Sequence, residues 1–109
     1  MENTNFKNHV VIEYYFPKEG KFDDVMEISK KSLQIFQSGI DGLQMAEVLK
    51  PTSKNGPIGM LSIWDSKESL GNMLKNMDDS MKNDVQNVKD WTTKIEFQMF
   101  DGVDGWHAS

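Results

Sequence analysis

Apolar and polar positions alternate along this chain with two different periods, and the changes of period separate strands from helices. The run from His9 to Phe16 is dense in β-branched and aromatic residues and stops at Pro17, which predicts a first strand. Apolar residues then recur every three to four positions from Phe22 to Ile40, which predicts an amphipathic helix. Gly39 favours the end of this helix, because glycine accepts the left-handed conformation that closes helices.

The same order of strand and helix returns in the second half. Leu43 to Lys50 predicts a second strand, with Leu43 on the same side as Met45. Residues 52–57 are rich in turn formers, so this strand and the next, Ile58 to Asp65, are expected to form an antiparallel hairpin.

A second helix and a last strand complete the pattern. Ser66 is a suitable N-cap for a helix that extends to Asp90, with a kink near Asp78, because apolar residues keep to steps of three and four. Alternation from Thr93 to Phe100 predicts the last strand.

Two strand-helix-strand halves in this order predict an α+β fold of the ferredoxin-like type, a four-stranded antiparallel sheet with both helices on one face. A chain of 109 residues is the size of one domain. We assign residues 9–102 to this domain, residues 1–8 to a disordered leader and residues 103–109 to a C-terminal tail.

The other face of the predicted sheet has no helix packed against it. The first strand is apolar on both sides, with Val10, Ile12 and Tyr14 on one and Val11 and Tyr15 on the other. Because a bare apolar sheet face is rare in soluble monomers, a homodimer with two sheets packed face to face is expected.

Composition excludes several functions. The chain has no cysteine, which excludes thiolate nucleophiles, disulfides and cysteine metal sites and fits a reducing, cytoplasmic location. The net charge is −5 and all 12 basic residues are lysines, so nucleic acid is not an expected partner. No apolar run approaches the roughly 20 residues that cross a bilayer, and no membrane partner is expected.

A family resemblance follows from two segments. The stretch from Gly39 to Leu43, and above all the segment from Ser62 to Leu70, in which Trp64 ends a strand and Ser66 opens a helix, resemble the antibiotic-biosynthesis monooxygenase-like family of dimeric α/β barrels. The resemblance covers Val10 to Phe100. It implies a cofactor-independent monooxygenase that acts on a small phenol or quinol, and no cofactor is expected.

Two residues are candidates for catalysis. The resemblance places Trp64 beside a pocket, where an indole can stack on an aromatic substrate; the alternative is a large core residue at a strand end. Glu13 interrupts an apolar strand, so burial would raise its pKa and suit it to accept a phenolic proton. The alternative for Glu13 is an exposed position at the barrel rim or a pair with a lysine.

Four further residues are candidates for ligand binding: Tyr14, Tyr15, Met73 and Met77. The two tyrosines point to opposite faces of a strand, so at most one meets a given ligand, and all four can also be core residues. A metal site from His9, Asp101 and His107 is conceivable, because the first and last strands are neighbours in this fold, but no metal is expected.

Other functions remain open. A haem-degrading relative would need a histidine in the second helix, and Lys67 to Asp90 contains none. A non-catalytic dimer that binds a small apolar ligand or a protein partner is the alternative to the oxygenase, with the sheet face as its binding surface.

Overall fold

A computed structural model describes residues 8–106 and 108 of the chain. The elements are β1 (His9–Pro17), α1 (Phe22–Gln37), β2 (Leu43–Leu49), β3 (Ile58–Trp64), α2 (Lys67–Lys75), α3 (Asp79–Trp91) and β4 (Thr92–Asp101). Apart from Asn8, the predicted leader lies outside the described residues, as does His107. No helix in the described ranges has the length and apolar character needed to cross a membrane.

The four strands form one antiparallel sheet in the order β2-β3-β1-β4, which confirms the predicted ferredoxin-like plan. Val11 on β1 lies opposite Ser62 on β3 and Met99 on β4, so these three side chains share a face. The helices cover this helix-side face, where the core is divided into two clusters. Tyr15 and Val25 are buried in one of them, and Val11 and Trp64 in the other.

A bulge in β2 corrects one prediction. The register between β2 and β3 shifts between Leu43 and Met45, so these residues point to opposite faces and not to the same one. Leu43 lies opposite Trp64 and packs against the cluster that contains it. A strict period of two along β2 cannot predict this, because the extra residue of a bulge inverts the alternation.

The helical region after β3 is two helices and not a single kinked one. Ser66 caps α2 as predicted, since its hydroxyl accepts a 3.1 Å bond from the Ser69 amide. Asp78 caps α3 in the same way, accepting a 2.8 Å bond from the Met81 amide. α2 ends at Lys75 with Asn76 as its C-cap, and Asp78, which has extended backbone, caps the start of α3, so the helical path is interrupted between these two residues.

The turn before β2 depends on glycines. Gly39 has a φ of 104° directly after α1, as predicted for a helix end, and Gly42 has a φ of 83°. The Gly42 carbonyl accepts a 2.7 Å bond from the Asp65 amide, which ties this turn to the end of β3. The turn is therefore fixed to the segment that joins β3 to α2.

The opposite face of the sheet, which we call the outer face, is apolar at its centre. The two middle strands contribute Ile12 and Tyr14 from β1 and Leu61 and Ile63 from β3, all partly exposed. Polar residues such as Glu96 lie on the edge strand β4. No helix of the described chain packs on this face.

Candidate functional site

Glu13 lies in the middle of β1 and points to the helix-side face. Its neighbours across the sheet are Met60 on β3 and Phe97 on β4, so the carboxylate has apolar side chains on both sides. Burial raises the pKa of Glu13 above the ordinary carboxyl value, and a hydrogen bond from Tyr15 opposes part of that change. A carboxylate in this environment is a stronger base than one in water.

Tyr15 is the polar partner of Glu13 on the same face of β1. It is 9% exposed. Burial raises the pKa of Tyr15, and the negative charge of Glu13 and the hydrogen bond to it raise the pKa further. The hydroxyl therefore stays protonated over the physiological range and acts as a donor.

Two adjoining cavities lie between the sheet and the helices. The first, which we call the α3 cavity, has a volume of about 170 Å³ and extends from Tyr15 on β1 to Asp84 on α3. The second, the Trp64 cavity, has a volume of about 210 Å³. Five residues line both of them: Glu13, Phe36, Met60, Met73 and Leu74. Glu13 thus lies where the two cavities meet, with most of the surrounding wall apolar.

The Trp64 cavity opens on the side of β4. Phe97 and Met99 line it and are 60% and 45% exposed, so solvent reaches the cavity along β4. A small molecule can therefore reach Glu13 from solvent without unfolding of the core. A wider, more polar cleft lies elsewhere, between Gly39 and Asn76, and contains neither Glu13 nor Trp64.

Trp64 contributes to the wall of the cavity named after it but shows almost no free surface. It is 1% exposed, and its indole N–H donates a 3.0 Å bond to the Ser62 hydroxyl. Val11 and Leu70 pack around the ring. The structure brings Trp64 and Glu13 to the same cavity, whereas direct stacking of a substrate on the indole would require neighbouring side chains to move.

The four residues predicted to bind a ligand separate into two groups. Tyr15, Met73 and Met77 line the α3 cavity. Tyr14 lies opposite Gly59 and Glu96 on the outer face and is not part of this site. The predicted opposite orientation of the two tyrosines is therefore what the structure shows.

His9 and Asp101 meet at the ends of β1 and β4, as the predicted strand order requires. The His9 Nδ1 atom lies 3.0 Å from an Asp101 carboxylate oxygen, and Nε2 is buried without a hydrogen-bond partner in the described chain. No group of three potential metal-ligating side chains occurs within residues 8–106 and 108. His107, the third predicted ligand, lies outside the described residues.

Comparison with known proteins gives matches of structure and not of sequence. No family profile and no curated protein matches the sequence. A candidate antibiotic biosynthesis monooxygenase from Nitrosomonas europaea matches with a TM-score of 0.77 and 12% identity, over 94% of this chain and 95% of that one. A second candidate, from Chloroflexus aurantiacus, has a TM-score of 0.71 and 19% identity, over 92% and 97% of the two chains.

A third match is SnoaB, a cofactor-independent oxygenase from Streptomyces nogalater, with a TM-score of 0.74 and 10% identity over 91% of this chain and 96% of SnoaB. The chain has the fold of the antibiotic biosynthesis monooxygenases. The resemblance inferred from the segment around Trp64 is confirmed at this level. Identities below 20% establish the fold alone, so the activity has to be argued from this chain's own residues.

Two residues of this antibiotic biosynthesis monooxygenase fold were not predicted as site residues. Ser62 lines the Trp64 cavity and is 8% exposed. Asp84 lines the α3 cavity and is 9% exposed. Asp84 lies on the apolar stripe of α3, one position before Val85. Its position within this stripe is the sequence feature that distinguishes Asp84, whereas an aspartate in a helix usually lies on the solvated face.

Proposed function

We propose that this chain is a cofactor-independent monooxygenase that acts on a small phenol or quinol, with Glu13 as the general base. The observation that carries the proposal is a carboxylate with a raised pKa at the junction of two apolar cavities. Such a base accepts a phenolic proton inside a site with little water, where the phenolate is a better electron donor to oxygen than the phenol.

The reaction needs no external reductant. A phenol that becomes a quinone loses its hydroxyl proton and one ring hydrogen and consumes one molecule of oxygen. One oxygen atom enters the new carbonyl group, and the other leaves in water together with the two hydrogens. The protein has to supply a base, orientation and a cavity that excludes bulk water, and the fold shared with SnoaB supports this assignment.

Within this proposal Tyr15 and Trp64 have different tasks. Tyr15 holds the Glu13 carboxylate in one orientation through its hydrogen bond. Trp64 fixes Ser62 through the indole N–H, so that the serine hydroxyl keeps its place in the wall of the Trp64 cavity. Met73 and Met77 supply flexible apolar surface that adjusts to the shape of a substrate.

The test is oxygen consumption with a panel of phenols and quinols, measured against the rate of autoxidation in buffer. We expect Glu13→Gln to lower kcat by about 100-fold or more, because a positioned base typically contributes that much. Glu19→Gln, in the exposed turn after β1, is the matched control and should retain wild-type activity. The wild-type rate should rise with pH through the raised pKa of Glu13.

Two outcomes would contradict the proposal. Equal activity of Glu13→Gln and wild type would reject the base, and no uptake above autoxidation with any substrate would reject the oxygenase. A protein that bound phenols without consuming oxygen would match the alternative, a non-catalytic binding protein.

We also propose that the chain works as a homodimer whose subunits bury their outer faces against each other. Support comes from the apolar centre of the outer face, where Ile12 and Leu61 lie side by side on β1 and β3. Exposed apolar side chains continue this surface, among them Met45 at 39% and Phe100 at 48%.

Sedimentation velocity at micromolar concentration tests the dimer. We expect twice the chain mass of 12.5 kDa for the wild type, and the mass of one chain for Ile12→Lys. Gln34→Lys, on the exposed surface of α1, adds the same charge elsewhere and should remain dimeric. A monomeric wild type would refute the proposal.

A further inference from the structure

Asp84 is the second carboxylate of the α3 cavity. It lies in the middle of α3, lines the cavity and is 9% exposed. One of its oxygens, Oδ1, lies 3.3 Å from the Lys31 ammonium group, which reaches it from α1. The other oxygen, Oδ2, is buried and has no hydrogen-bond partner in the described part of the chain. A buried acceptor without a donor costs about 1–3 kcal/mol, and more when it is charged.

The hydroxyl groups in the wall of this cavity already form hydrogen bonds with acceptors other than Asp84. Ser29 donates a 2.8 Å bond to the Val25 carbonyl, and Ser32 donates a 3.1 Å bond to the Ile28 carbonyl, both within α1. The third hydroxyl, that of Tyr15, is bonded to Glu13. A donor for Oδ2 therefore has to come from outside the cavity wall.

The charges around the cavity restrict what can enter. Among the described residues that line the α3 cavity there is no lysine, arginine or histidine, whereas there are two carboxylates. Lys31 contacts Asp84 from the solvent side, with 55% of its side chain exposed. Because charges interact more strongly in a site of low dielectric than in water, a ligand with a negative charge is repelled there.

The volume restricts the size of the ligand. A cavity of about 150 Å³ holds a benzene ring in another protein. The α3 cavity, with about 170 Å³, therefore suits one substituted ring. Its wall is otherwise apolar, with residues such as Ile28, Val88 and Ile95, which favours an aromatic or aliphatic body.

We infer that Asp84 selects the substrate: its Oδ2 accepts a hydrogen bond from a hydroxyl or amino group on a single-ring apolar ligand in the α3 cavity, and the cavity rejects anionic ligands. The inference rests on the proposed function only in taking this cavity as the substrate site. It adds a specificity residue and a substrate class: neutral or cationic single rings with a hydrogen-bond donor. Glu13 and Asp84 then contact different parts of the ligand from β1 and α3.

The experiment compares three probes that share a tolyl group: p-cresol, toluene and 4-methylbenzoate. Dissociation constants are measured at pH 7 by ligand-observed NMR titration. We expect the wild type to bind p-cresol about tenfold or more tightly than toluene, because a hydrogen bond to a charged group is worth at least that factor. Binding of 4-methylbenzoate should be weaker than that of toluene.

Two variants and a control assign this preference to Asp84. Asp84→Leu should reduce the preference for p-cresol over toluene at least several-fold, with any remainder due to Glu13, and Asp84→Asn should reduce the preference and weaken the rejection of 4-methylbenzoate. Asp90→Leu, on the exposed side of the same helix, should behave as wild type. Circular dichroism verifies folding; if Asp84→Leu does not fold, Asp84→Asn decides.

Three results would overturn the inference: equal binding of p-cresol and toluene by the wild type, an unchanged preference in the folded Asp84 variants, or no binding of any probe. Oxygen uptake separates this inference from the proposed function. A preference for p-cresol that depends on Asp84, without oxygen consumption, refutes the oxygenase and leaves the inference standing. Oxygen consumption with no such preference refutes the inference alone.

Discussion

The burial of Glu13 has a consequence for stability that needs no substrate to measure. In the folded chain the pKa of Glu13 is raised, so the folded state binds its proton more tightly than the unfolded state. Stability should therefore fall as the pH rises from about 4.3, the ordinary value of glutamate, through the folded pKa. Above the folded pKa the wild type has lost the whole of this stability, and below the ordinary glutamate pKa it has lost none of it.

Replacing Glu13 by glutamine isolates this effect. The amide oxygen of glutamine can still accept the hydrogen bond from Tyr15, but the side chain carries no charge to desolvate. Each unit by which the folded pKa of Glu13 exceeds the unfolded one lowers the free energy of unfolding of the wild type at high pH by about 1.4 kcal/mol. For a domain of this size that amounts to about 5 °C in Tm. We expect Glu13→Gln to melt at a higher temperature than the wild type at pH 8, and at the same temperature near pH 4.

The assay is thermal unfolding followed by circular dichroism from pH 4 to pH 8, at one protein concentration because the Tm of the proposed dimer would depend on it. Glu19→Gln, at an exposed position, should show no such pH-dependent difference. Tyr15→Phe removes the bond that lowers the Glu13 pKa and should move the window to higher pH. An equal Tm of Glu13→Gln and wild type at pH 8 would show that this carboxylate is hydrated and would remove the basis for its role as a base.

Three further predictions concern the frame of the site and can be checked by urea unfolding. Trp64→Phe should lower the free energy of unfolding by about 2 kcal/mol, because it removes the bond to Ser62 and leaves a buried core site partly empty. The loss should be smaller when Ser62 is already alanine, and an equal loss in both backgrounds would mean that the bond contributes nothing. Asp78→Ala should cost about 1 kcal/mol through loss of the α3 cap, and wild-type stability would contradict the capping role. Gly42→Ala should lower the free energy of unfolding by at least about 1 kcal/mol, since the φ of Gly42 is 83° and a Cβ would clash with the Ser69 side chain. Unchanged stability would mean that the turn rearranges.

Much of the site's frame was predictable because it depends on local patterns. The apolar density of β1, the helical period of α1 and the Ser66 cap are properties of short segments, and the structure confirms them. The strand order followed from the order of elements, and it brought His9 beside Asp101. The prediction that Tyr14 and Tyr15 face opposite sides needed only the period of two in a strand.

Other features were missed because a short segment does not contain their cause. Leu43 changes sides through a bulge, and an inserted residue cannot be read from an alternating pattern. The break before α3 was predicted only as a kink near Asp78, because apolar spacing continues across it while the backbone leaves the helical conformation between Asn76 and Asp78. The bond that the Trp64 indole N–H donates to Ser62, two residues earlier on the same strand, was not predicted.

The amino-acid sequence by itself determined the type and order of the elements and the alternation that puts Glu13 on the same side of β1 as Val11 and Tyr15, because residue type and period act over a few neighbouring positions. Only the tertiary structure decided that Glu13 lies between two cavities and that Asp84, 71 residues away in the chain, lines one of them. Burial, pKa and the supply of hydrogen-bond donors depend on side chains from β1, α1 and α3 together. Their contacts exist only once these elements have packed.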